Sequence, residues 1–311
     1  MPVQLNILVN NVFNGWEPTD IRLGGTEESV VHWAEELARR GHQVTVYRNG
    51  RNAPKVEGFD LPAVTYLERD RYEGGGDICI NIKSADIEPK EPTLYLTNET
   101  DATKHDLSKY LGIIWPSHWA ADNIEVNNDN LFILPHGYDH TAIYPGQKTA
   151  KQCFYASSPD RGLDVLLQAW PRVYAAHPDA TLIVTYGGQS NLPGVINLGE
   201  IDEDTMNDVY RSSDIWCHPC TGGELYCMVG KKAQAAACIP VIIPTMALAE
   251  TVARGFKVDT PDNYAKTLIE VLSLPMEARN AIRKDVLEHA YTPNWVQSTD
   301  ILLGIINSVL K

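Results

Sequence analysis

The 311-residue sequence lacks the features that mark membrane and secreted proteins. It contains no run of about twenty apolar residues, so no segment is predicted to cross a bilayer. Its N-terminal stretch, MPVQLNILVNN, lacks the basic residues of a secretory signal and is predicted to be a β-strand instead. We therefore expect a cytoplasmic protein, in which cysteine side chains stay reduced.

Positive charge is also scarce in this chain. It carries 26 Lys and Arg against 40 Asp and Glu, which gives a formal net charge of −14. Such a surface repels polyanions and argues against general binding to nucleic acids or anionic membranes. A small anionic ligand would need a local group of cations. The sequence leaves the oligomeric state open.

Metal-binding motifs are few. One C-x-x-C pair, Cys217 and Cys220, has Cys227 close behind it, but no second pair stands at the spacing of a zinc site. We assign no metal-binding Asp-x-Asp motif. A zinc or redox site at Cys217 and Cys220 stays an alternative, but a strand end and its loop are the favoured interpretation.

The spacing of apolar residues predicts an α/β protein. Residues 4–10 and 44–47 are predicted strands, and Val30, Trp33 and Leu37 between them recur at helical spacing. A βαβ unit of this kind favours a parallel sheet. A chain of 311 residues is long enough for two domains of ordinary size, each with its own core.

Residues 213–244 are the most informative stretch. They predict a strand at 214–218, a loop, a helix at 226–237 and a strand at 240–243. In open α/β sheets, ligands bind where the carboxyl ends of strands meet helix N-termini. The N–H groups at Tyr226 and Cys227 would face such a ligand and favour phosphate. Glu224, in the loop beside them, suits the hydroxyl groups of a sugar.

This stretch resembles the donor-binding segment of retaining glycosyltransferases with the GT-B fold, specifically glycosyltransferase family 4 (glycosyl transferases group 1). The family pattern is Glu, seven residues, Glu, followed by an Ala-rich helix and a Pro-Val strand. Glu224 matches the first Glu, and AQAAACIPVI matches the helix and the strand. Lys232 stands at the second Glu, which in the family accepts hydrogen bonds from the ribose.

Other segments extend the resemblance. GGTEESVVHWAEELARRGHQVTVY is similar to the family's N-terminal signature, whose Gly-rich turn, here Gly24-Gly25, lies near the donor phosphates. Arg161-Gly162 matches a Lys-Gly that holds the diphosphate, whereas a second phosphate-binding Arg is replaced by Ser157 or Ser158. His136 lies in a segment that resembles the family's Pro-Asn-Gly-Val-Asp, and it fits either a site residue or a solvent-side linker.

The resemblance implies two Rossmann-like domains whose parallel sheets face a central cleft. We expect an acceptor-side domain at residues 1–146, a nucleotide-sugar-binding domain at 147–293, and a helix at 294–311 that crosses back to the first domain. The implied reaction is sugar transfer, with retention of configuration, from a nucleotide-diphosphate sugar to an unidentified acceptor. No metal or other cofactor is expected.

The resemblance also implies a group of site residues. The catalytic candidates are Glu224 and Arg161. The expected donor-binding residues are Gly24, Gly25, Arg161, Glu224, Leu225, Tyr226, Cys227 and Lys232. The acceptor-side candidates are Asn98, Glu99 and His136.

Lys232 leaves three interpretations open, because an ammonium group accepts no hydrogen bond and cannot replace the family's ribose contact. The helix could be shifted by one residue, so that Gln234 approaches the ribose. Lys232 could bind a phosphate, which we favour because a protein of net charge −14 needs cations beside an anionic donor. The site could also be degenerate. A degenerate nucleotide-sugar-binding protein is therefore one alternative to a transferase, and a sugar-nucleotide epimerase or phosphorylase on the same fold is another.

Overall fold

The computed structural model describes residues 2–10, 15–20, 23–50, 64–187 and 189–311. Contacts divide the chain into two compact units. Unit 1 comprises Met1–Gly137 and Pro293–Lys311, and unit 2 comprises Tyr138–Thr292. Among the described helices, none has both the length and the apolar character needed to cross a bilayer.

Unit 1 contains a seven-stranded sheet. Its strands are β1 (Gln4–Val9), β2 (Gln43–Arg48), β3 (Val64–Glu68), β4 (Ile78–Ile82), β5 (Thr93–Leu96), β6 (Gly112–Trp115) and β7 (Leu131–Ile133). They lie in the order β3-β2-β1-β4-β5-β6-β7, and every pairing is parallel. The edge strand β3 was not expected from the sequence, because its side chains are only half-buried and its apolar pattern is correspondingly weak.

Unit 2 contains a second parallel sheet. Its strands are β8 (Gln152–Tyr155), β9 (Thr181–Thr185), β10 (Val195–Gly199), β11 (Ile215–His218), β12 (Ile239–Ile242) and β13 (Phe256–Lys257). Their order is β10-β9-β8-β11-β12-β13, and all pairings are parallel. Two parallel sheets, one in each unit, confirm the predicted α/β fold.

The helices follow the βαβ pattern. Unit 1 has α1 (Gly25–Arg39) and α2 (His118–Asn123). Unit 2 has α3 (Leu163–Ala176), α4 (Glu203–Ser212), α5 (Met228–Ala235), α6 (Leu248–Thr251), α7 (Pro261–Ser273) and α8 (Met276–His289). The last helix, α9 (Trp295–Val309), belongs to unit 1 and packs on α1, where Trp33 Nε1 donates to Ser298 Oγ at 2.9 Å.

The first boundary between units falls before Tyr138, earlier than the boundary after residue 146 expected from the sequence. Ile143 is buried in a cluster of unit 2 that includes Phe154 and Trp216. A Cβ built on Gly146 would come within 2.9 Å of Arg211, a residue of α4. The segment after His136 and Gly137 is therefore part of the unit 2 core and not a free linker.

β11 is the central strand that carries the site in unit 2. Successive side chains of a strand point to opposite faces of the sheet. Helices cover both faces here, so all four residues of β11 are buried and three of them are apolar. Ile215 and Cys217 join the core under α3 and α7, whereas Trp216 joins the core under α5. His218 lies on the Trp216 side, with the two rings stacked at 5.1 Å.

Gly162 allows the start of α3 to approach the loop that follows β11. Its φ is +93°, a left-handed backbone conformation that residues other than glycine adopt only at an energetic cost. A Cβ at this position would lie 2.1 Å from the carbonyl oxygen of Pro219. Only glycine therefore permits both the turn and the close backbone contact.

We predict that Gly162→Ala lowers the free energy of unfolding by about 2 kcal/mol or more, because left-handed strain of about 1 kcal/mol adds to a backbone clash. Gly41→Ala is the matched control, since Gly41 also has a left-handed φ, +88°, but has nothing within 4 Å of its Cβ position. Urea unfolding of both variants measures the difference. Equal losses would show that the Pro219 contact is unimportant.

Candidate active site

The candidate site lies at the carboxyl edge of the unit 2 sheet. β8 ends at Tyr155 and leads into a short 3₁₀ turn, Pro159–Arg161, while β11 ends at His218 and leads into the loop that precedes α5. Because these strands are parallel, both ends meet at one edge of the sheet, where α/β proteins bind their ligands. The fold therefore brings Arg161 and Glu224 together, although more than sixty positions separate them in the sequence.

Glu224 accepts one hydrogen bond and lies near two further polar side chains. Its Oε1 accepts a hydrogen bond from the Cys227 N–H at 3.0 Å. Its Oε2 lies 3.9 Å from Arg161 Nη1 and 3.8 Å from His218 Nε2. Burial raises the pKa of Glu224, while Arg161 and the N–H groups of Tyr226 and Cys227 oppose that rise.

The start of α5 differs from the sequence prediction. The helix begins at Met228, and Cys227 precedes it with a left-handed φ of 64°. The Cys227 N–H, expected to face a phosphate, instead donates to Glu224. The side chains of Leu225, Tyr226 and Cys227 are buried, so they pack within the unit.

Arg161 is the cation best placed to meet an anionic ligand at this edge. Its side chain is 35% exposed, and its ion-pair contacts are to Glu224 and Asp160, both at 3.9 Å. These distances are longer than a hydrogen bond, so the guanidinium donors are directed at neither carboxylate. Arg161 can therefore turn toward an anion without breaking a strong pair.

His218 was not singled out from the sequence. It is fully buried, and its ring stacks on Tyr155 and Trp216 with centroids 6.2 and 5.1 Å away. Burial lowers the pKa of His218 to about 3, and the nearby Arg161 adds to the effect, so the imidazole is neutral. Its position as the last residue of an apolar strand, directly before Pro219, is the only signal that the sequence offered.

Cysteine chemistry at the site differs from the C-x-x-C alternative. Cys217 and Cys220 belong to different core clusters, and neither is part of a ligand group that could hold an ion. In the described ranges, the one group of three or more potential ligands is His218, Glu224 and Cys227, whose ligand atoms lie within 4.8 Å of one another. The six cysteines are free and buried.

The Asp-x-Asp spacing does occur, at Asp202 and Asp204, although no metal-binding motif of this kind was expected. Asp202 is the N-cap of α4. Its two carboxylate oxygens accept from the N–H and hydroxyl of Thr205 at 2.8 and 3.0 Å. Asp202 therefore acts as a helix cap, and Asp204 lies in the first turn of the helix.

The two adjacent lysines of α5 lie in different surroundings. Lys231 is buried, donates to the Tyr291 carbonyl at 2.7 Å and lies 5.5 Å from the Tyr226 ring centroid. Burial lowers the pKa of Lys231 to about 8. Lys232 is half-buried. Gln234 is fully buried and donates to Gly230 and Thr251 carbonyls, which excludes the shifted helix in which Gln234 would approach a ribose.

Unit 1 brings Gly25 and His136 together. Gly24 is the N-cap of α1, and the Gly25 carbonyl accepts from Ser29 Oγ at 2.7 Å. The same hydroxyl lies 2.7 Å from His136 Nδ1, and the imidazole stacks on Trp33 at 5.5 Å. Burial lowers the pKa of His136 to about 4. A buried, bonded His136 is incompatible with a solvent-side linker.

Asn98 and Glu99 follow β5 at the carboxyl edge of the unit 1 sheet. Glu99 Oε1 lies 3.6 Å from Lys83 Nζ, and Asn98 Oδ1 is buried without a hydrogen-bond partner among the described residues. Lys83, which follows β4, has a left-handed φ of 57°. Strain of this kind in a residue other than glycine often marks a functional site, and no pattern in the sequence indicates it.

Comparison with known proteins supports a glycosyltransferase. Residues 151–274 match the family described as Glycosyl transferases group 1. The phosphatidyl-myo-inositol mannosyltransferase of Mycobacterium tuberculosis strain H37Rv is 25% identical over 332 aligned residues, covering 86% of this chain and 86% of that protein. The protein of the same description from Mycobacterium leprae is 28% identical, with the same coverage.

Solved structures share the fold over nearly the whole chain. AviGT4, a glycosyltransferase involved in avilamycin A biosynthesis, superposes with a TM-score of 0.65 at 15% identity, covering 99% of this chain and 98% of its own. WaaG, a glycosyltransferase involved in lipopolysaccharide biosynthesis, gives 0.71 at 13% identity, with 97% and 99% covered. Anabaena HepE, in complex with UDP and glucose, gives 0.73 at 14% identity, with 98% and 100% covered. The fold is therefore GT-B.

The buried histidines predict a loss of stability in acid. The folded-state pKa values of His136 and His218, about 4 and about 3, lie below the unfolded value near 6.5. Between these values the unfolded chain binds more protons, so the free energy of unfolding falls as pH falls below about 6.5. Each histidine should account for about 2 kcal/mol at pH 5.

Urea unfolding at pH 7.5 and 5.0 measures this effect. His136→Asn and His218→Asn should each have a pH dependence smaller than that of the wild-type protein by about 2 kcal/mol. His105→Asn, at an exposed position of unit 1, is the control. An unchanged pH dependence in the two variants would contradict the assignment of buried neutral imidazoles.

Proposed function

We propose that this protein transfers a sugar from a nucleotide-diphosphate sugar to an acceptor, with retention of configuration. The observation that carries the proposal is the juxtaposition of the Arg161 guanidinium and the Glu224 carboxylate, 3.9 Å apart, at the carboxyl edge of the unit 2 sheet. Both residues lie within the segment that matches Glycosyl transferases group 1. A cation and a carboxylate side by side suit a ligand that is a phosphate at one end and a polyol at the other.

Arg161 stabilises the leaving diphosphate in this proposal. Negative charge develops on the leaving group as the glycosidic bond breaks, and a fixed cation lowers the energy of that state. The guanidinium fork also matches phosphate geometry. Lys232, half-buried in the first two turns of α5, is proposed as a second phosphate contact in place of the missing arginine near Ser157.

Glu224 both supports the loop and binds the sugar. Its Oε1 is committed to the Cys227 N–H, and this bond orients Oε2 toward Arg161 and His218. A carboxylate oxygen in that place accepts hydrogen bonds from sugar hydroxyls. The two roles use different oxygen atoms and are therefore compatible.

In unit 1, Gly24 and Gly25 are proposed to bind the donor, and Asn98, Glu99 and His136 are proposed to face the acceptor. The mycobacterial relatives are named for mannosyl transfer to phosphatidyl-myo-inositol, and HepE was solved with UDP and glucose. A suitable first test is a mass-spectrometric screen of UDP- and GDP-linked glucose and mannose with candidate acceptors. Product formation supports a transferase, turnover of donor without any acceptor indicates an epimerase, and binding without turnover indicates a degenerate protein.

Arg161→Ala should weaken binding of a nucleoside diphosphate by about 1.5–3 kcal/mol, which is the usual free-energy contribution of a hydrogen bond to a charged group. Calorimetry with UDP and GDP measures the loss. Uridine and guanosine, which lack phosphates, should bind the variant and the wild type alike. Arg172→Ala, which removes an exposed cation of α3, is the charge-matched control. Equal losses for nucleoside and nucleoside diphosphate would contradict a phosphate contact.

Glu224→Gln should reduce sugar transfer by about tenfold to hundredfold, because a charged hydrogen-bond acceptor for the sugar is lost. The amide oxygen of Gln can still accept from the Cys227 N–H, so stability should stay near that of the wild type. Glu224→Ala should lose about 1 kcal/mol of stability as well, since it removes that bond.

Initial rates and thermal unfolding of both Glu224 variants separate the two roles. If Glu224 served only as a cap, Glu224→Gln would transfer sugar at the wild-type rate, and Glu224→Ala would lose activity only through unfolding.

A further inference from the structure

Three potential metal ligands converge beside Arg161 in unit 2. His218 Nε2 lies 3.8 Å from Glu224 Oε2 and 3.9 Å from Cys227 Sγ. The three ligand atoms lie within 4.8 Å of one another, and His218 and Cys227 are buried. They come from the end of β11, the loop after it and the residue before α5.

The chemistry of these ligands selects a class of metal ion. An imidazole nitrogen, a thiolate and a carboxylate oxygen suit Zn²⁺ and similar transition metals, whereas Mg²⁺ and Ca²⁺ prefer oxygen alone. Zinc bonds of about 2.0–2.3 Å place the ligand atoms of a tetrahedral site roughly 3.3–3.8 Å apart. The two separations from His218 Nε2 are therefore close to those of a metal site. The third separation, between Glu224 and Cys227 and within 4.8 Å, needs a modest side-chain movement.

Two of the ligands are already oriented. The His218 ring is stacked on Tyr155 and Trp216, which leaves Nε2 facing Glu224 and Cys227. The Cys227 N–H holds Glu224 Oε1, so Oε2 is the oxygen turned toward the imidazole. Little conformational freedom is lost when a cation binds to groups ordered in this way.

We propose that His218, Glu224 and Cys227 bind a zinc-class divalent cation, and that this cation and the nucleotide sugar use the site alternately. The second half of the proposal rests on the proposed function. Glu224 Oε2 is both the metal ligand and the atom that faces Arg161 at 3.9 Å. A bound cation would occupy the sugar-binding oxygen and repel the guanidinium, so transfer would stop. Binding converts the Cys227 thiol to a thiolate and releases its proton to solvent.

The surroundings favour reversible binding over a structural role. His218 Nδ1 is buried, and no residue in the described part of the chain accepts or donates a hydrogen bond there. Metal-binding imidazoles normally donate this second N–H to an acceptor, whose loss weakens binding about 10- to 100-fold. The Arg161 guanidinium opposes a second cation as well. Both features fit an ion that enters and leaves as its concentration changes.

Co²⁺ is the probe for the site, because cobalt bound to a thiolate has a charge-transfer absorption that the free ion lacks. Titration of the metal-free protein with Co²⁺ should produce this band, and Zn²⁺ should then displace it. Cys227→Ser should abolish the band, and His218→Gln should weaken Co²⁺ binding at least tenfold. Circular dichroism confirms that each variant is folded.

Cys217→Ser is the matched control, since Cys217 is also a buried cysteine of the C-x-x-C segment but lies on the other face of β11. It should keep the band. Loss of the band in Cys217→Ser or Cys220→Ser, with retention in Cys227→Ser, would overturn the assignment in favour of the C-x-x-C pair. Absence of any band in the wild-type protein at millimolar Co²⁺ would overturn it outright.

The Arg161→Ala variant tests, in the absence of nucleotide, whether the Glu224 carboxylate faces both the metal and Arg161. Removal of the guanidinium should tighten Co²⁺ binding by about three- to tenfold, because a screened like charge is taken away. Arg172→Ala should leave Co²⁺ affinity unchanged. If Arg161→Ala also leaves it unchanged, metal and guanidinium do not share Glu224, and the alternate-occupancy proposal fails.

Competition with nucleotide is measured separately from metal binding. UDP and GDP affinities of the metal-free protein are determined first, then again with free Zn²⁺ held by a metal buffer that corrects for binding of Zn²⁺ to the nucleotides. A tenfold or greater loss supports alternate occupancy, and an equal affinity overturns it. Absence of nucleotide binding to the metal-free protein would count against the proposed function, whereas the Co²⁺ band and its Arg161 dependence would still decide the metal site.

Discussion

The Glu224 carboxylate is the contact on which the candidate site depends. One oxygen is bonded to the N–H of Cys227, and the other lies between Arg161 and His218. The loop after β11, the start of α5 and the turn after β8 therefore meet at one side chain. A carboxylate that is only 16% exposed is stabilised by the donors and cations around it, so the position of Glu224 constrains each of its neighbours.

Backbone geometry makes that arrangement possible. Gly162 lets the turn carrying Arg161 lie against Pro219, and the left-handed Cys227 turns its N–H back toward Glu224. At the other end of β11, Asp214 is fully buried and pairs with Arg279 at 2.8 Å and with Arg283. The strand that ends at His218 is thus anchored at both ends, which gives the site a rigid base.

Unit 1 also has a buried neutral histidine and a strained backbone residue at the edge of its sheet. A buried, neutral His136 is tied through Ser29 to the Gly25 carbonyl at the start of α1. Lys83, in a strained backbone conformation, faces Glu99. In both units a histidine that burial keeps uncharged lies beside a carboxyl edge of a parallel sheet.

The sequence by itself determined the class of fold and supplied candidates for the site. Apolar periodicity identified α1 and β11, because burial against one face or two faces leaves a local pattern. Glu224 and Arg161 became candidates through short motifs that resemble those of a known family. Only the tertiary structure decided that the Cys227 N–H serves Glu224, that Gln234 lies inside the core, and that His218 and Lys83 belong to the two edges. These outcomes depend on contacts between distant segments and on backbone conformations that other residues impose, and neither leaves a periodic signal along the chain.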